Sequence, residues 1–308
     1  MGSSKDIFLA IRSTSMEMIM PQPVYSPLRG KRSEITLPAF LAKALPYHQI
    51  RVEPMFYSGS MLLAIKNPPA AEIINDMGGL LGDFWRTMRD DADFQRFFRM
   101  CNSTPYCESA FREARLSQDD PDPVKRAWAF FVMNRHGHLD NKNRFEFITK
   151  NRTRRFMTEQ ASAYLSAVDH LHGFHERLRS TTYFSGRNPL DVIRQFDTPE
   201  TLFVLTPKTS DKPLSSLCDL FPSEDIPEDF LAHEILNCLL GKVLVVLESG
   251  QPIDATFAKM RWKKLDFETR KERAWSFNPL KPSRIWANFS FPDQWKCYCK
   301  PSVLKFQD

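Results

Sequence analysis

The six cysteines (Cys101, Cys107, Cys218, Cys238, Cys297 and Cys299) include no C-x-x-C pair, and only Cys297 and Cys299 lie close together. That spacing excludes a dense disulfide framework and fits reduced intracellular thiols. Long apolar runs are missing near the N-terminus, where residues 7–11 are too short for a signal peptide or a membrane span. The chain is therefore expected to be soluble and cytoplasmic, with no membrane partner. Charge of one sign is not in large excess: 42 Lys and Arg face 37 Asp and Glu, a formal net charge of +5. A basic partner surface has to come from local clustering. Walker loops, nucleophile elbows, serine-triad spacings, internal repeats and low-complexity tracts are all lacking. His170, His172 and His175 carry no accompanying carboxylate in a zinc-site pattern. Gly173 is expected to end the helix among them, so they read as surface histidines and no metal is expected. Cys297-Tyr298-Cys299 places two thiols on one side of a strand, at a core or edge position.

What remains is a chain of 308 residues with 42% hydrophobic content, enough for one large domain or two ordinary ones. Its organising stretch is 49–89, QIRVEPMFYSGSMLLAIKNPPAAEIINDMGGLLGDFWRTMR. A strand over 50–52 runs into a loop holding Gly59, followed by an apolar run over 61–65. A second strand over 72–74 stops at Asn75-Asp76, and a helix with Leu80, Leu81, Phe84, Trp85 and Met88 on one face closes the unit. Proteins of the α/β class hold adenosine-containing ligands this way: the acid takes the ribose hydroxyls, and the turn lets the ligand approach the backbone. Tyr57 and Ser58 stand where glycine is expected, so an ordinary βαβ unit without a ligand fits the same stretch.

Residues 1–24 form a loosely ordered arm, and 25–32 (YSPLRGKR) a turn with Arg29, Lys31 and Arg32. A helix is expected over 34–45. From residue 90 to 179 the pattern turns helical, with Phe94, Phe97 and Phe98 on one face and Asp122-Pro123 capping a helix that carries Val124, Ala127, Trp128 and Phe131. Residues 134–155 have little periodicity but many cations (Arg135, Lys142, Arg144, Lys150, Arg152, Arg154 and Arg155), with Phe145, Phe147 and Phe156 interleaved; a helix over 158–168 follows. Such a basic loop holds either a nucleic-acid backbone or only solvent. Strand signals return at 190–193, 201–205 and 243–247, separated by a polar loop (210–226) and a helix (229–240). Short antiparallel strands are expected at 261–267 and 284–291. The architecture is thus an α/β domain (25–89 and 180–308) interrupted by a helical insert (90–179) that carries the basic loop.

The order of these segments resembles the Dam-like adenine-specific DNA methyltransferases, in which the target-recognition insert lies between the cofactor motifs and the catalytic motif. The resemblance runs over 25–289. It rests on Arg29-Gly30-Lys31, Glu53-Pro54-Met55-Phe56 with Gly59, Ile74-Asn75-Asp76, Phe84-Trp85, Met88-Arg89 and Asn134-Arg135. Arg154-Arg155-Phe156-Met157, the stretch 165–193 and Trp286-Ala287-Asn288-Phe289 extend it. It implies a Rossmann-like S-adenosylmethionine-dependent methyltransferase sheet, double-stranded DNA as partner, and methyl transfer to the amino group of a flipped adenine. By the same resemblance Gly30, Lys31, Glu53, Gly59, Asp76 and Asn188 line the cofactor site. The cations from Arg135 to Arg155 face DNA.

At one position the pattern is broken. Where the family has Asp-Pro-Pro-Tyr after the central buried strand, this chain has Thr206-Pro207-Lys208-Thr209. The family's Asp and a backbone carbonyl accept the amino hydrogens, and its Tyr stacks on the base. Thr206 brings no charge to a developing cation, Lys208 brings the wrong sign if it points inward, and Thr209 cannot stack. Asn188 stands where an Asp often reads the cofactor's adenine. The expectation is a catalytically impaired homologue acting as a DNA-binding protein. The alternatives are an active adenine methyltransferase with an atypical pocket, in which Asp211, Asp219 or Asp225 supplies the carboxylate, and a protein-interaction scaffold using the loop 210–226.

Overall fold

The computed structural model describes residues 26–29, 38, 41–42, 45–65, 67–76, 78–138, 141–146, 153–154, 156–206, 240–248, 253–267 and 283–291. The arm expected over 1–24, the loop 210–226, all but the last residue of the helix expected over 229–240, and Cys297-Tyr298-Cys299 lie outside these residues, as do Asp211, Asp219 and Asp225. The strands are β1 (Ile50–Glu53), β2 (Ala71–Asp76), β3 (Gly137–His138), β4 (Asn141–Phe145), β5 (Thr153–Arg154) and β6 (Met157–Thr158). They continue with β7 (Thr182–Ser185), β8 (Thr201–Leu205), β9 (Lys242–Glu248), β10 (Lys263–Phe267) and β11 (Ser283–Ala287).

A seven-stranded sheet runs in the order β10-β11-β9-β8-β1-β2-β7. Only β11 is antiparallel to its neighbours, β9 and β10; the other pairs are parallel. By succession within the sheet this is 3-2-1-4-5-7-6, the doubly wound order with one antiparallel strand inserted near an edge. It is the Rossmann-like, methyltransferase-type architecture expected from the sequence. β8 (TLFVL) is buried along its whole length, because parallel central strands are covered on both faces.

On one face Val52, Ile73, Phe203, Val243, Val245 and Trp286 pack with the helices Pro189–Phe196 and Ile253–Lys259. On the other, Leu202, Val204 and Leu244 meet Leu41, Met61 and Ile65. A third cluster runs from Phe56, Leu62 and Ile74 through the helix Gly79–Arg89 into the helices Asp91–Ser103, Pro123–His136, Glu159–Asp169 and Leu171–Arg179.

Three readings of the sequence need correction. Residues 190–193 are helical, within Pro189–Phe196, because Asn188 caps Leu190 N–H and Pro189 takes the first turn. Gly173 lies inside the helix Leu171–Arg179, and the break falls one turn earlier, at His170. His175 is buried: its ring stacks on Phe94 at 4.2 Å, Nδ1 lies 2.9 Å from the Met88 carbonyl and Nε2 3.0 Å from Asp91 Oδ1.

The sheet's second face also buries charge. Parallel register pairs Arg51 with Glu72, and their side chains form an ion pair. Arg177 closes on the same carboxylate, with Nη1 2.6 Å from Oε2 and Nη2 2.7 Å from Oε1. The two guanidiniums also reach the Met61 and Leu62 carbonyls, at 3.5 and 3.4 Å, near the end of the helix Ser60–Ala64. Carbonyls in the last turn of a helix lack intrahelical donors in general, and a cation suits that end of a helix. Removing Glu72 takes the carboxylate from Arg177 and leaves the fully buried Arg51 with only Glu53, at 3.5 Å. Glu72→Ala should lower unfolding free energy by about 3–5 kcal/mol, whereas Arg112→Ala, which breaks the exposed pair with Glu108, should cost under about 1 kcal/mol. Urea denaturation of the two variants checks this; equal effects would contradict the ranking.

Candidate functional site

A doubly wound sheet binds ligands outside the carboxyl ends of its strands, at the point where strand order reverses. Here that point lies between β1 and β8. β1 ends in Glu53, β2 in Asp76, and β7 in Ser185 with Asn188 three residues on; Thr206 follows β8 directly. Five residues singled out from the sequence (Glu53, Gly59, Asp76, Asn188 and Thr206) therefore come from the segments at this one edge of the sheet. Gly30, Lys31, Pro207, Lys208 and Thr209 lie outside the described residues.

Asn75 fixes the edge, a role that sequence reasoning did not assign to it. Wholly buried, its Nδ2 donates to the Pro54 carbonyl at 3.0 Å and the Arg187 carbonyl at 2.9 Å, while Oδ1 accepts from Arg187 N–H at 3.2 Å. One side chain thus ties the ends of β1 and β7 to β2. The Asn-Asp pair carried the signal, but attention fell on its charged member.

Asp76 is fully buried as well. Oδ1 accepts from Gly78 N–H at 2.5 Å and from Ser185 Oγ at 3.2 Å, and Oδ2 accepts from the Tyr183 hydroxyl. Burial pushes its pKa up; the hydrogen bonds from Tyr183, Gly78 and Ser185 oppose that shift. Gly82 seals the helix side, since a Cβ there would sit 2.9 Å from Asp76 Oδ1 and 3.1 Å from Ser185 Oγ.

The glycine loop is filled in a comparable way. Gly59 has φ +68°, and a Cβ on it would meet Phe56 Cζ at 2.8 Å and Trp85 Cη2 at 3.2 Å. The glycine is required by the chain's own aromatic rings. Trp85 Nε1 donates to the Tyr57 carbonyl at 3.0 Å, and Ser26 Oγ to the Ser58 carbonyl at 2.6 Å. Asn188 spends its Oδ1 on the helix cap, and Thr206 Oγ1 lies 3.4 Å from the Met55 carbonyl. The Asp76 oxygens are thus engaged within the chain and, as they stand, do not fit the ribose hydroxyls of S-adenosylmethionine, the cofactor the fold family implies. Glu53 differs. Its Oε1 is buried with no hydrogen-bond partner, 3.5 Å from Arg51 Nη1, and burial raises its pKa to about 7.

The basic segment divides. Arg135 sits in the last turn of the helix Pro123–His136, outside any loop, and its guanidinium donates to the Ala163 carbonyl at 2.5 Å. Burial lowers its pKa to about 10. Arg144 is exposed on β4, Lys142 lies on the same strand and Arg154 on β5. Lys150, Arg152 and Arg155 lie outside the described residues. Arg29 pairs with Glu146, its guanidinium donates to the Gly137 carbonyl at 3.1 Å, and its backbone N–H donates to Asn134 Oδ1 at 2.6 Å. Beneath this clasp His136 lies edge-on to Tyr106 and Tyr164, both at 4.6 Å, with neither ring nitrogen hydrogen-bonded. Burial first, then the Arg135 charge, lowers its pKa to about 3. Among the described residues no His, Cys, Asp and Glu group is arranged to hold a metal, and no helix is long and apolar enough to cross a membrane.

The strand order thus defines a Rossmann-like, doubly wound fold with one antiparallel strand near an edge. No family model matches the chain, and no curated protein matches it. Among solved structures the rRNA methyltransferase aviRa from Streptomyces viridochromogenes is similar at 12% identity over 83% of this chain and 82% of that one, with a TM-score of 0.29. Likeness at that score carries no argument; the class rests on strand order.

The Glu53 shift has a sign that can be tested. A carboxyl whose pKa rises from 4.5 to about 7 on folding contributes most below pH 4.5, and the contribution is lost as pH climbs through 7. His136, lowered from 6.5 to about 3, acts oppositely and costs stability as pH falls below 6.5. Glu53→Gln should therefore gain stability over wild type progressively from pH 4.5 to above 7. Paired urea melts across that range check it; a pH-independent difference would contradict it.

Proposed function

We propose that the chain is a homologue of adenine-specific DNA methyltransferases in which methyl transfer is impaired and duplex DNA binding persists. The observation that carries the reading is Asp76: the acid at the nucleoside position of the sheet already has its donors inside the protein. Thr206 supports it, because a hydroxyl lacks the negative charge that stabilises an amino nitrogen becoming cationic, an effect of several kcal/mol in a dry site. The exposed Arg144, with Lys142 on the same strand and Arg154 on β5, supports the DNA-binding half.

Glu53 favours a second reading, an active adenine methyltransferase with an atypical pocket in which this buried carboxyl stands in for the missing acid. Labelled S-adenosylmethionine incubated with duplex DNA separates the two. The first reading predicts no transfer; transfer abolished by Thr206→Ala would refute it, and transfer abolished by Glu53→Gln would establish the second. For DNA binding, Arg144→Ala should weaken affinity at all sequences and reduce the slope of log K against log salt by about 1. Binding with no salt dependence in wild type would favour a protein-interaction scaffold instead.

A further inference from the structure

Strand β7 places two hydroxyls on one acid. Side chains alternate along a strand, so Tyr183 and Ser185 share a face, and the parallel register sets Ser185 beside Asp76 and Tyr183 beside Ile74. The phenol takes Oδ2 and the serine hydroxyl takes Oδ1. A vicinal diol binds a carboxylate in the same way, with one hydroxyl to each oxygen. We propose that Tyr183 and Ser185 are an internal substitute for a ribose diol, and that this pair keeps nucleoside ligands off Asp76.

The proposal rests on reading Asp76 as the nucleoside position, and it accounts for the poor fit of the cofactor there. Tyr183 is held from several sides. Its ring packs against the helical core cluster. The Arg89 guanidinium lies 5.6 Å from the ring centroid and donates to the Thr181 carbonyl at 2.8 Å. Because Gly82 closes the helix side, an incoming diol gains Asp76 only by displacing the phenol. It must break a hydrogen bond to a charged acceptor, one of the stronger kinds. Ligand affinity is then reduced by the fraction of molecules in which Tyr183 has left, and removing its hydroxyl lifts that reduction.

Calorimetric titration with adenosine and S-adenosylhomocysteine tests the pair in the full chain. Tyr183→Phe keeps the ring packing and removes the donor; with Ser185→Ala added, both hydroxyls are gone. Each ligand should bind the double variant at least about tenfold more tightly than wild type. 2′,3′-Dideoxyadenosine, which has no diol, should show no gain, and Asp76→Asn in the double variant should erase the gain for the others. Folded variants that bind no better than wild type overturn the proposal, as does an equal gain for the dideoxy compound. Should Tyr183→Phe fail to fold, Ser185→Ala alone must still show a gain of a few-fold, and none overturns it. Methyl transfer by wild type is a separate readout: it would refute the impaired-enzyme reading without touching the comparison of variants.

Discussion

A carboxylate withdrawn from water has to find donors or take up a proton, and at Asp76 the donors come from the chain itself. Much of the carboxyl edge is arranged around that requirement. Gly78 lends its N–H, Gly82 gives way so that the helix can close over the acid, and β7 is set in register so that Ser185 and Tyr183 arrive on the correct face. Asn75, one residue earlier, ties the ends of β1 and β7 to β2 through backbone groups of Pro54 and Arg187. An internally satisfied acid stabilises the edge of the sheet, and on the reading proposed above the same bonds withdraw the group a nucleoside would need.

The sheet was legible because its signals are local. The TLFVL run of β8 and the Asp122-Pro123 cap each follow from spacing alone, and the order of motifs led to the Rossmann-like class. Asn188-Pro189 carries the same cap-and-proline signature as Asp122-Pro123, yet its apolar 190–193 run was read as a strand: short apolar runs suit either period. Tyr57 and Ser58 stood out as misfits in a glycine loop, and the structure fills the space beneath that loop with Phe56 and Trp85. The engagement of Asp76 was not legible, since Tyr183 is 107 residues away and nothing in a TYFS strand announces a partner. The burial of His175 and the inward turn of Arg135 were hidden for the same reason. Both depend on which helix packs against which.

Buried charge recurs elsewhere under the same rule. Glu72 serves two guanidiniums, and Glu53 beside it keeps one oxygen without a donor. His136 is neutral within a ring of aromatic side chains. Such groups cost stability when left unmatched, so Glu53 is conspicuous at the edge where its neighbours are fully matched. Asp76 is matched from within the chain, whereas one buried oxygen of Glu53 is not.

The central claim is that Asp76 is held by Tyr183 even when a nucleoside ligand is offered. The most direct measurement is the proton NMR signal of the Tyr183 hydroxyl, assigned by its loss in Tyr183→Phe and followed during titration with S-adenosylmethionine. Protection within a hydrogen bond to a buried carboxylate predicts a downfield, slowly exchanging resonance that persists in excess ligand. Its disappearance on ligand addition, with Asp76 required for the change, would contradict the account.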